Sequence, residues 1–331
     1  MALIAAQEKE YDIAKEVFKY IIDTGQDPDI VLEAEYNIIK IETEEAEAED
    51  YPQINKKYLS LLTEYGRHPG TIKLQVAYGH FLAFNMRDPG QATQFLKESL
   101  EFQLSDYQSS LVKLELADIL VLQEKFNEAL IYYTQIQRNM KNSTISQEAR
   151  FKVAKTSYYK GDFKWAESQL KILKSSTSQL IANDALDLML LISDNKYEDS
   201  TQTALKLYAK ADLLGFQNKS EQAIAILDEI LESHKGKTIY DQALFMQAKL
   251  FEQQGQYQKS ESNYIQIITD YKEEILADDT YFALGELYLN HLGQPEKAKD
   301  FYEQIIFNYQ DSIYFVDSRK KYRMLRGDAI N

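Results

Sequence analysis

Small and apolar residues recur along this chain at a fixed interval, with polar turns between them. The repeat is clearest over residues 111–173, where a two-helix pattern is followed by a second copy shifted by 37 residues. The first copy holds Ala117, Leu120, Phe126, Ala129, Tyr133 and Ile136, and the second holds Ala154, Ser157, Phe163, Ala166, Leu170 and Leu173. Spacings of three and four residues are those of amphipathic helices. Self-similarity at this interval predicts stacked helical hairpins, a solenoid.

Two small residues lie 12 positions apart in each copy, as Ala154 and Ala166 do. In an antiparallel hairpin these positions face each other where the helices approach most closely, about 8–10 Å between axes. Tyr133 and Leu170, four residues after the second small residue, share its helix face and fill the space toward the next hairpin. The predicted structural repeat positions are Ala117, Ala129, Ala154, Ala166, Ala211, Ala223, Ala248, Gly285 and Ala298.

The repeat interval predicts the division of the chain. Small residues of the second helices fall at 92, 129, 166, 223, 260 and 298, and the one long step leaves room for an extra helix at 179–193. The polar string 194–200 after it is a candidate hinge, with a packed spacer as the alternative. We predict an N-terminal array over 1–176, a spacer helix and candidate hinge over 177–200, a C-terminal array over 201–311, and a capping helix and tail over 312–331.

Two places depart from the regular pattern. Ala2 and Ala14 already form the first 12-residue pair, so the first helix is predicted to lack its opening turns and the chain to be a fragment of a longer one. Between Ala34 and Ile54 the spacing is 20 residues rather than 12, which leaves the register of that hairpin open.

A small residue, a second one 12 positions later and an aromatic residue or Leu four after that resemble the tetratricopeptide repeat (TPR) family. The resemblance covers nearly the whole chain, and the Tyr-, Lys-, Ile- and Gln-rich repeats are similar to those of bacterial TPR proteins, especially of Bacteroidota. It implies an all-α, right-handed solenoid with a C-terminal capping helix. It also implies a concave groove, lined by the first helices of the hairpins, that binds a partner peptide or helix.

The resemblance carries a set of partner-binding residues onto this sequence. Groove positions lie one, four and five residues after the first small residue, and they include His80, Ala83 and Phe84. The predicted partner-binding residues are Lys155, Tyr158, Tyr159, Tyr208, Phe216 and Lys249. The alternative is that these aromatic side chains belong to the hydrophobic core.

Composition restricts the functional classes. The chain of 331 residues has a net charge of −15, which argues against a general nucleic-acid surface. It contains no Cys, which excludes disulfides and Cys-ligated zinc. No apolar run approaches the length of a membrane span, and residues 1–6 are too short and uncharged for a signal peptide. The compartment, cytoplasm or periplasm, is left open.

No motif predicts catalysis, a cofactor or a metal site. The four His residues are dispersed, and the acidic run over 42–50 lies on a straight helix that cannot wrap its oxygens around a calcium ion. The sequence Gly236-Lys237-Thr238 lacks the glycine of a phosphate-binding loop, because Leu231 stands in its place. We therefore predict a non-catalytic protein.

The function predicted from the sequence is a protein–protein interaction scaffold. Two alternatives are a cell-envelope assembly component, similar to bacterial TPR lipoproteins, and the TPR arm of a larger enzyme or regulator. The basic cluster over 319–326 is interpreted as helix-cap chemistry, with an acidic partner or lipid head groups as the alternative. The identity of the protein partner and self-association are left open.

Overall fold

The computed structural model describes residues 2–7, 9–173, 178–197 and 201–328. Every regular element in these ranges is helical. The helices are α1 (Ala2–Gln7), α2 (Tyr11–Thr24), α3 (Pro28–Glu45), α4 (Tyr51–Tyr65), α5 (Ile72–His80), α6 (Pro89–Ser99), α7 (Asp106–Leu122), α8 (Phe126–Asn139), α9 (Thr144–Tyr159), α10 (Phe163–Leu173), α11 (Gln179–Asn195), α12 (Thr203–Phe216), α13 (Ser220–Ser233), α14 (Ile239–Gln253), α15 (Tyr257–Asp270), α16 (Ala277–Asn290), α17 (Pro295–Asn308) and α18 (Phe315–Arg326). A 3₁₀ turn, Pro69–Thr71, precedes α5, and a π-helical turn, Phe81–Asn85, follows it.

The helices pack as hairpins of consecutive elements. The pairs are α1 with α2, α3 with α4, α5 with α6, α7 with α8, α9 with α10, α12 with α13, α14 with α15, and α16 with α17. Helix α11 stands between α10 and α12, and α18 follows the last hairpin. The predicted all-α solenoid of stacked hairpins is confirmed.

The chain divides into two compact units, Met1–Met189 and Leu190–Asn331, with the division inside α11. We call them the N-terminal and the C-terminal unit. Residues 174–177 and 198–200 lie outside the described ranges, so the predicted border at 176 and part of the candidate hinge fall there. The predicted domain limits and the hinge stay predictions.

Local sequence signals account for where the helices begin. Asp27 accepts a hydrogen bond from the Asp29 amide at the start of α3, and Ser105 caps α7 in the same way through the Gln108 amide. Such caps satisfy backbone donors that have no partner in the first turn. Each of the five Pro residues occupies the first or second position of a helix or of the 3₁₀ turn, where a missing amide proton is tolerated.

Small residues lie where the two helices of a hairpin meet. All eight alanines of the predicted repeat positions are fully buried, with 0% of their surface exposed. At Gly285 a Cβ would stand 2.5 Å from Cε1 of Tyr302, and at Gly79 it would stand 2.8 Å from Cγ of Leu96. Even one methyl group is too large at these two contacts, because neighbouring side chains already fill the space.

Buried tyrosines tie the second helix of a hairpin to a carboxylate on the first. The Tyr133 hydroxyl donates to Asp118, and Lys152 of the following hairpin donates to the same carboxylate at 2.9 Å. Tyr264 donates to Glu252 at 2.6 Å in the same manner. Since Tyr133 and Tyr264 are fully buried, these bonds satisfy hydroxyls that water cannot reach.

The same arrangement recurs at the end of the chain. Tyr302 donates to Glu286 at 2.6 Å, and Lys321 of α18 pairs with Glu286 at 2.8 Å. Each three-membered set therefore links two helices of one hairpin to the first helix after it. Hydrogen bonds to charged groups are stronger than those between neutral groups, so these sets fix the stacking of adjacent hairpins.

Replacing Ala166 by Leu is expected to lower the free energy of unfolding of the chain by about 1–3 kcal/mol, because the added side chain overpacks the contact between α9 and α10. Urea unfolding followed by circular dichroism measures the change. The matched control is Ser168→Leu, since Ser168 is exposed on the same helix and its replacement should cost less than about 0.5 kcal/mol. Equal stability of Ala166→Leu and the wild type would contradict the packing.

The chain is expected to lose stability as the pH rises above about 10. Burial raises the pKa of Tyr133, Tyr264 and Tyr302 above the usual tyrosine value, with their carboxylate partners adding to the effect. The unfolded state therefore releases phenolic protons at a pH where the folded state still holds them. Stability is complete below the unfolded pKa and falls by about 1.4 kcal/mol per pH unit for each such group above it. An unfolding midpoint in urea that does not change between about pH 9 and pH 11 would contradict this.

One buried carboxyl group opposes folding at neutral pH. Asp241 of α14 is 4% exposed, and its Oδ1 accepts a hydrogen bond of 2.8 Å from the Gln242 amide. Burial raises its pKa to about 6, and the nearby Glu274 and Asp194 carboxylates act in the same direction. Because the folded pKa is the higher one, the associated stability is present below pH 4 and is lost as the pH rises through 6.

We therefore expect Asp241→Asn to raise the free energy of unfolding at pH 7.5 by up to about 3 kcal/mol. The amide keeps an oxygen that accepts from Gln242 but carries no charge. The variant should be no more stable than the wild type near pH 4, which serves as the internal control. A variant less stable than the wild type at pH 7.5 would contradict the expected sign.

Candidate functional site

A cleft of about 560 Å³ opens in the N-terminal unit across the first helices of three successive hairpins, α3, α5 and α7. Its lining comprises Leu3 of α1; Glu33, Tyr36, Asn37, Lys40, Thr43 and Glu44 of α3; Tyr58 of α4; Lys73, Val76, Ala77 and His80 of α5; Phe81 and Asn85 of the π-helical turn; and Tyr107, Leu111 and Glu115 of α7. Its volume lies in the range of about 300–1,000 Å³ that is typical of ligand pockets.

Packed aromatic rings support the floor of the cleft. The ring of Tyr58 lies 5.5 Å from that of Tyr78 and 5.3 Å from that of Phe81, and Tyr51 meets Phe81 edge-on at 5.9 Å. Tyr58 and Phe81 are buried. Ring pairs at these distances favour fixed orientations, so the floor is rigid.

The π-helical turn Phe81–Asn85 contributes to the shape of the cleft. After it, the Met86 amide donates to the Phe81 carbonyl and the Asp88 amide donates to the Leu82 carbonyl. A π-helical turn holds one residue more than an α-helical turn, so it changes the direction of the side chains that follow. Phe81 and Asn85 reach the cleft from this turn.

Ion pairs join the helices that border the cleft. Lys73 of α5 pairs with Glu33 of α3 at 3.0 Å, and Nδ1 of His80 lies 2.9 Å from Glu115 of α7. The His80 ring also stacks on Phe84 at 4.5 Å. Both contacts are partly exposed, and the Lys73–Glu33 ion pair contributes less than about 1 kcal/mol.

The sequence-predicted residues on α9 divide into buried and accessible positions. Lys155 is half-buried, and its Nζ lies 5.3 Å from the ring of Tyr158 and 5.4 Å from that of Tyr159. Tyr159 is half-buried, whereas Tyr158 is 0% exposed and packs against Phe163. The predicted exposure of Tyr158 is wrong, because a residue four positions after Ala154 shares the helix face that meets α10.

The predicted residues of the C-terminal unit behave in the same way. Lys249 is exposed, with its Nζ 5.4 Å from the ring of Phe245, and Phe216 is half-buried at the end of α12. Tyr208 is buried, and its hydroxyl donates to the Gln242 carbonyl at 3.4 Å. The sequence left the orientation of Tyr208 open, and the structure places its side chain in the core, three residues before Ala211.

Of the predicted partner-binding residues, Lys155, Tyr159, Phe216 and Lys249 are therefore accessible, and Tyr158 and Tyr208 are buried. Ala83, four residues after Gly79, is also buried. His80, one residue after Gly79, lines the cleft. Sequence reasoning missed the cleft residues of α3 and α7, although the irregular spacing from Ala34 to Ile54 marks the hairpin that contributes the largest share of the lining.

Within residues 2–7, 9–173, 178–197 and 201–328, no group of three or more His, Asp or Glu side chains is placed to hold a metal ion. None of the helices described here combines the length and the apolar character that crossing a bilayer requires.

Comparison with known proteins gives matches in one family. The family model for the tetratricopeptide repeat matches residues 242–273 and 279–312, which contain α14 with α15 and α16 with α17. No curated protein matches the chain in sequence.

Solved structures of low sequence identity are similar over most of the chain. A tetratricopeptide repeat protein from Parabacteroides merdae is 12% identical, with 89% of this chain and 98% of that chain covered and a TM-score of 0.36. A Rap protein complexed with competence and sporulation factor is 14% identical, with 98% and 91% covered and a TM-score of 0.40. At these TM-scores neither likeness bears on function.

The small-residue pattern of the two matched repeats recurs in the hairpins of both units. Ala248 and Gly285 in the matched segments correspond to Ala117 and Ala154 in the N-terminal unit, and all four are buried. Residues 242–273 and 279–312 match the tetratricopeptide repeat, and other hairpins have the same pattern of small residues.

Proposed function

We propose that this chain is a non-catalytic scaffold that binds a segment of a partner protein in the cleft of the N-terminal unit. The observation that carries the proposal is the cleft itself, which crosses α3, α5 and α7. Neighbouring helices lie about 8–10 Å apart, so the cleft extends over about 20 Å. An extended segment of about six residues covers that length.

The lining favours a ligand that contributes apolar side chains. Val76, Ala77 and Leu111 form apolar wall positions, and Tyr107 is 51% exposed at the rim. Partly exposed aromatic and aliphatic side chains over a rigid floor are typical anchors of interfaces. Lys40 is exposed and forms no ion pair with the described residues, so it offers a charge to a ligand carboxylate or carbonyl.

The chemistry of the cleft supports binding rather than catalysis. Burial raises the pKa of Tyr36 above its usual range, with the Glu33 carboxylate adding to the effect, so the phenol resists ionisation. The Thr43 hydroxyl donates to the Ile39 carbonyl. A hydroxyl acts as a nucleophile when its pKa is lowered or when a base accepts its proton. The pKa of Tyr36 is raised instead, and the Thr43 proton is directed to a main-chain carbonyl, which is not a base.

The two accessible predicted residues of α9, Lys155 and Tyr159, remain candidate partner contacts in the same unit. They lie on a first helix, as the cleft-lining residues of α5 and α7 do. Lys155 is held over two aromatic rings, an arrangement that presents a cation at a fixed position. Lys249 and Phe216 remain predicted contacts in the C-terminal unit.

A displayed library of random 12-residue peptides, selected on the whole chain, tests the proposal. Selected peptides are expected to carry large apolar residues and to bind Val76→Glu/Tyr107→Ala at least tenfold more weakly, a loss of about 1.4 kcal/mol or more. The matched control is Ile131→Glu/Tyr20→Ala, which makes the same changes at exposed positions outside the cleft. It should bind within about twofold of the wild type.

Circular dichroism establishes that each variant is folded. A third variant, Lys155→Glu/Tyr159→Ala, separates the cleft from the site predicted on α9. Unchanged binding by the cleft variant together with loss of binding by the α9 variant would move the site to α9. Unchanged binding by both variants would contradict groove binding in the N-terminal unit.

A further inference from the structure

The outward face of α18 is not covered by another helix of the described chain. Phe315, Val316, Arg319, Lys320 and Arg323 border a shallow cleft of about 260 Å³ on this face. Val316 is 72% exposed, and Met324, about two helical turns further along α18, is 51% exposed. Helix α17 packs against the opposite side of α18, where Ser318 is fully buried.

Hydrogen bonding shows that α18 has the position of the first helix of a hairpin. Glu286 accepts from Tyr302 of the preceding second helix and pairs with Lys321 of α18. In the N-terminal unit Asp118 joins Tyr133 and Lys152 of α9 in the same manner. Lys321 therefore occupies the position of Lys152, and α18 occupies the position of a first helix such as α9.

This correspondence shows what a second helix would meet on α18. Ala154 and Ser157 follow Lys152 by two and five residues, and both are buried in the hairpin that α9 forms with α10. Arg323 and Arg326 follow Lys321 by the same two intervals, so they occupy the corresponding positions of α18. Two guanidinium side chains cannot occupy a contact built for Ala and Ser. The face therefore does not accept a second helix of the repeat type, whatever segment reaches it.

The charge of the face indicates what it does accept. Arg319 and Lys320 are exposed and form no ion pair with the described residues, while Arg323 and Arg326 lie 3.8 Å and 2.6 Å from Asp328. Arg319 and Arg323 stand one helical turn apart, about 6 Å, which matches carboxylates four residues apart on another helix. The apolar side chain of Val316 borders the same shallow cleft as Arg319, Lys320 and Arg323.

We propose that this face of α18 docks an acidic amphipathic helix of a partner protein. Carboxylates of that helix pair with Arg319, Lys320 and Arg323, and its apolar stripe covers Val316 and Met324. An extended polyanion such as a membrane surface or nucleic acid fits less well, because it reaches beyond the cations of α18 to the rest of a chain whose net charge is −15. This contact is separate from the cleft of the N-terminal unit.

A displayed library of 20-residue helical peptides tests the proposal. The library fixes Leu on one helix face and randomises the flanking positions between Glu and Lys. Peptides selected on the whole chain in about 50 mM salt are expected to be Glu-rich and to bind at least tenfold more weakly to Arg319→Glu/Lys320→Glu/Arg323→Glu. The matched control, Lys210→Glu/Lys235→Glu/Lys272→Glu, has the same change of charge elsewhere in the C-terminal unit and should bind within about twofold.

The apolar part of the contact has its own variant. Val316→Ser keeps every charge and should weaken binding of the Glu-rich peptides at least threefold. This variant keeps the proposal testable if the triple variant fails to fold. Selection of Lys-rich peptides would overturn the proposal. So would selection of no peptide that binds the wild-type chain more tightly than the triple variant. Two other results would overturn it if no Glu-rich peptide is selected. One is binding of the chain to phosphatidylserine vesicles that the triple variant abolishes. The other is a dimer in sedimentation equilibrium that the triple variant abolishes.

Discussion

The close contact between the two helices of each hairpin is the constraint on which the rest of the structure depends. Ala117 and Ala129, or Gly285 and Ala298, are small and fully buried because the backbones approach there. At Gly285 the neighbouring Tyr302 ring leaves no room for a Cβ. Once this distance is fixed, side chains four residues further along can reach the next hairpin, and stacking follows from the same packing.

Stacking in turn decides which inner surface stays open. In a regular hairpin, Tyr133 of the second helix donates a hydrogen bond to Asp118 of the first helix. Lys152 of the next hairpin donates to the same carboxylate, so these side chains occupy the inner face of the first helix. The hairpin of α3 and α4 has a longer spacing, and α5 ends in a π-helical turn. The cleft lies beside these two irregular elements, where the regular side-chain contacts are replaced by a floor of aromatic rings.

The regular part of this fold could be predicted from the sequence because its rules are local. A small residue at 154 and another at 166 suffice to place the contact between α9 and α10. Tyr158 is buried although the sequence predicts it as exposed in the groove, and the helix geometry that places it on the face of Ala154 is itself readable from the sequence. The cleft could not be predicted, since it depends on a π-helical turn and on ring packing around Tyr58, neither of which follows from residue spacing.

The most direct test of cleft binding replaces Tyr107 by the photo-crosslinking amino acid p-benzoylphenylalanine in living cells. Tyr107 is exposed at the rim of the cleft, and Tyr20, which is exposed outside it, provides the control position. After irradiation, mass spectrometry identifies any protein that becomes attached. We expect a protein adduct at position 107 that is absent at position 20. No adduct at 107, or the same adducts at both positions, would contradict the proposal that the cleft is the binding site.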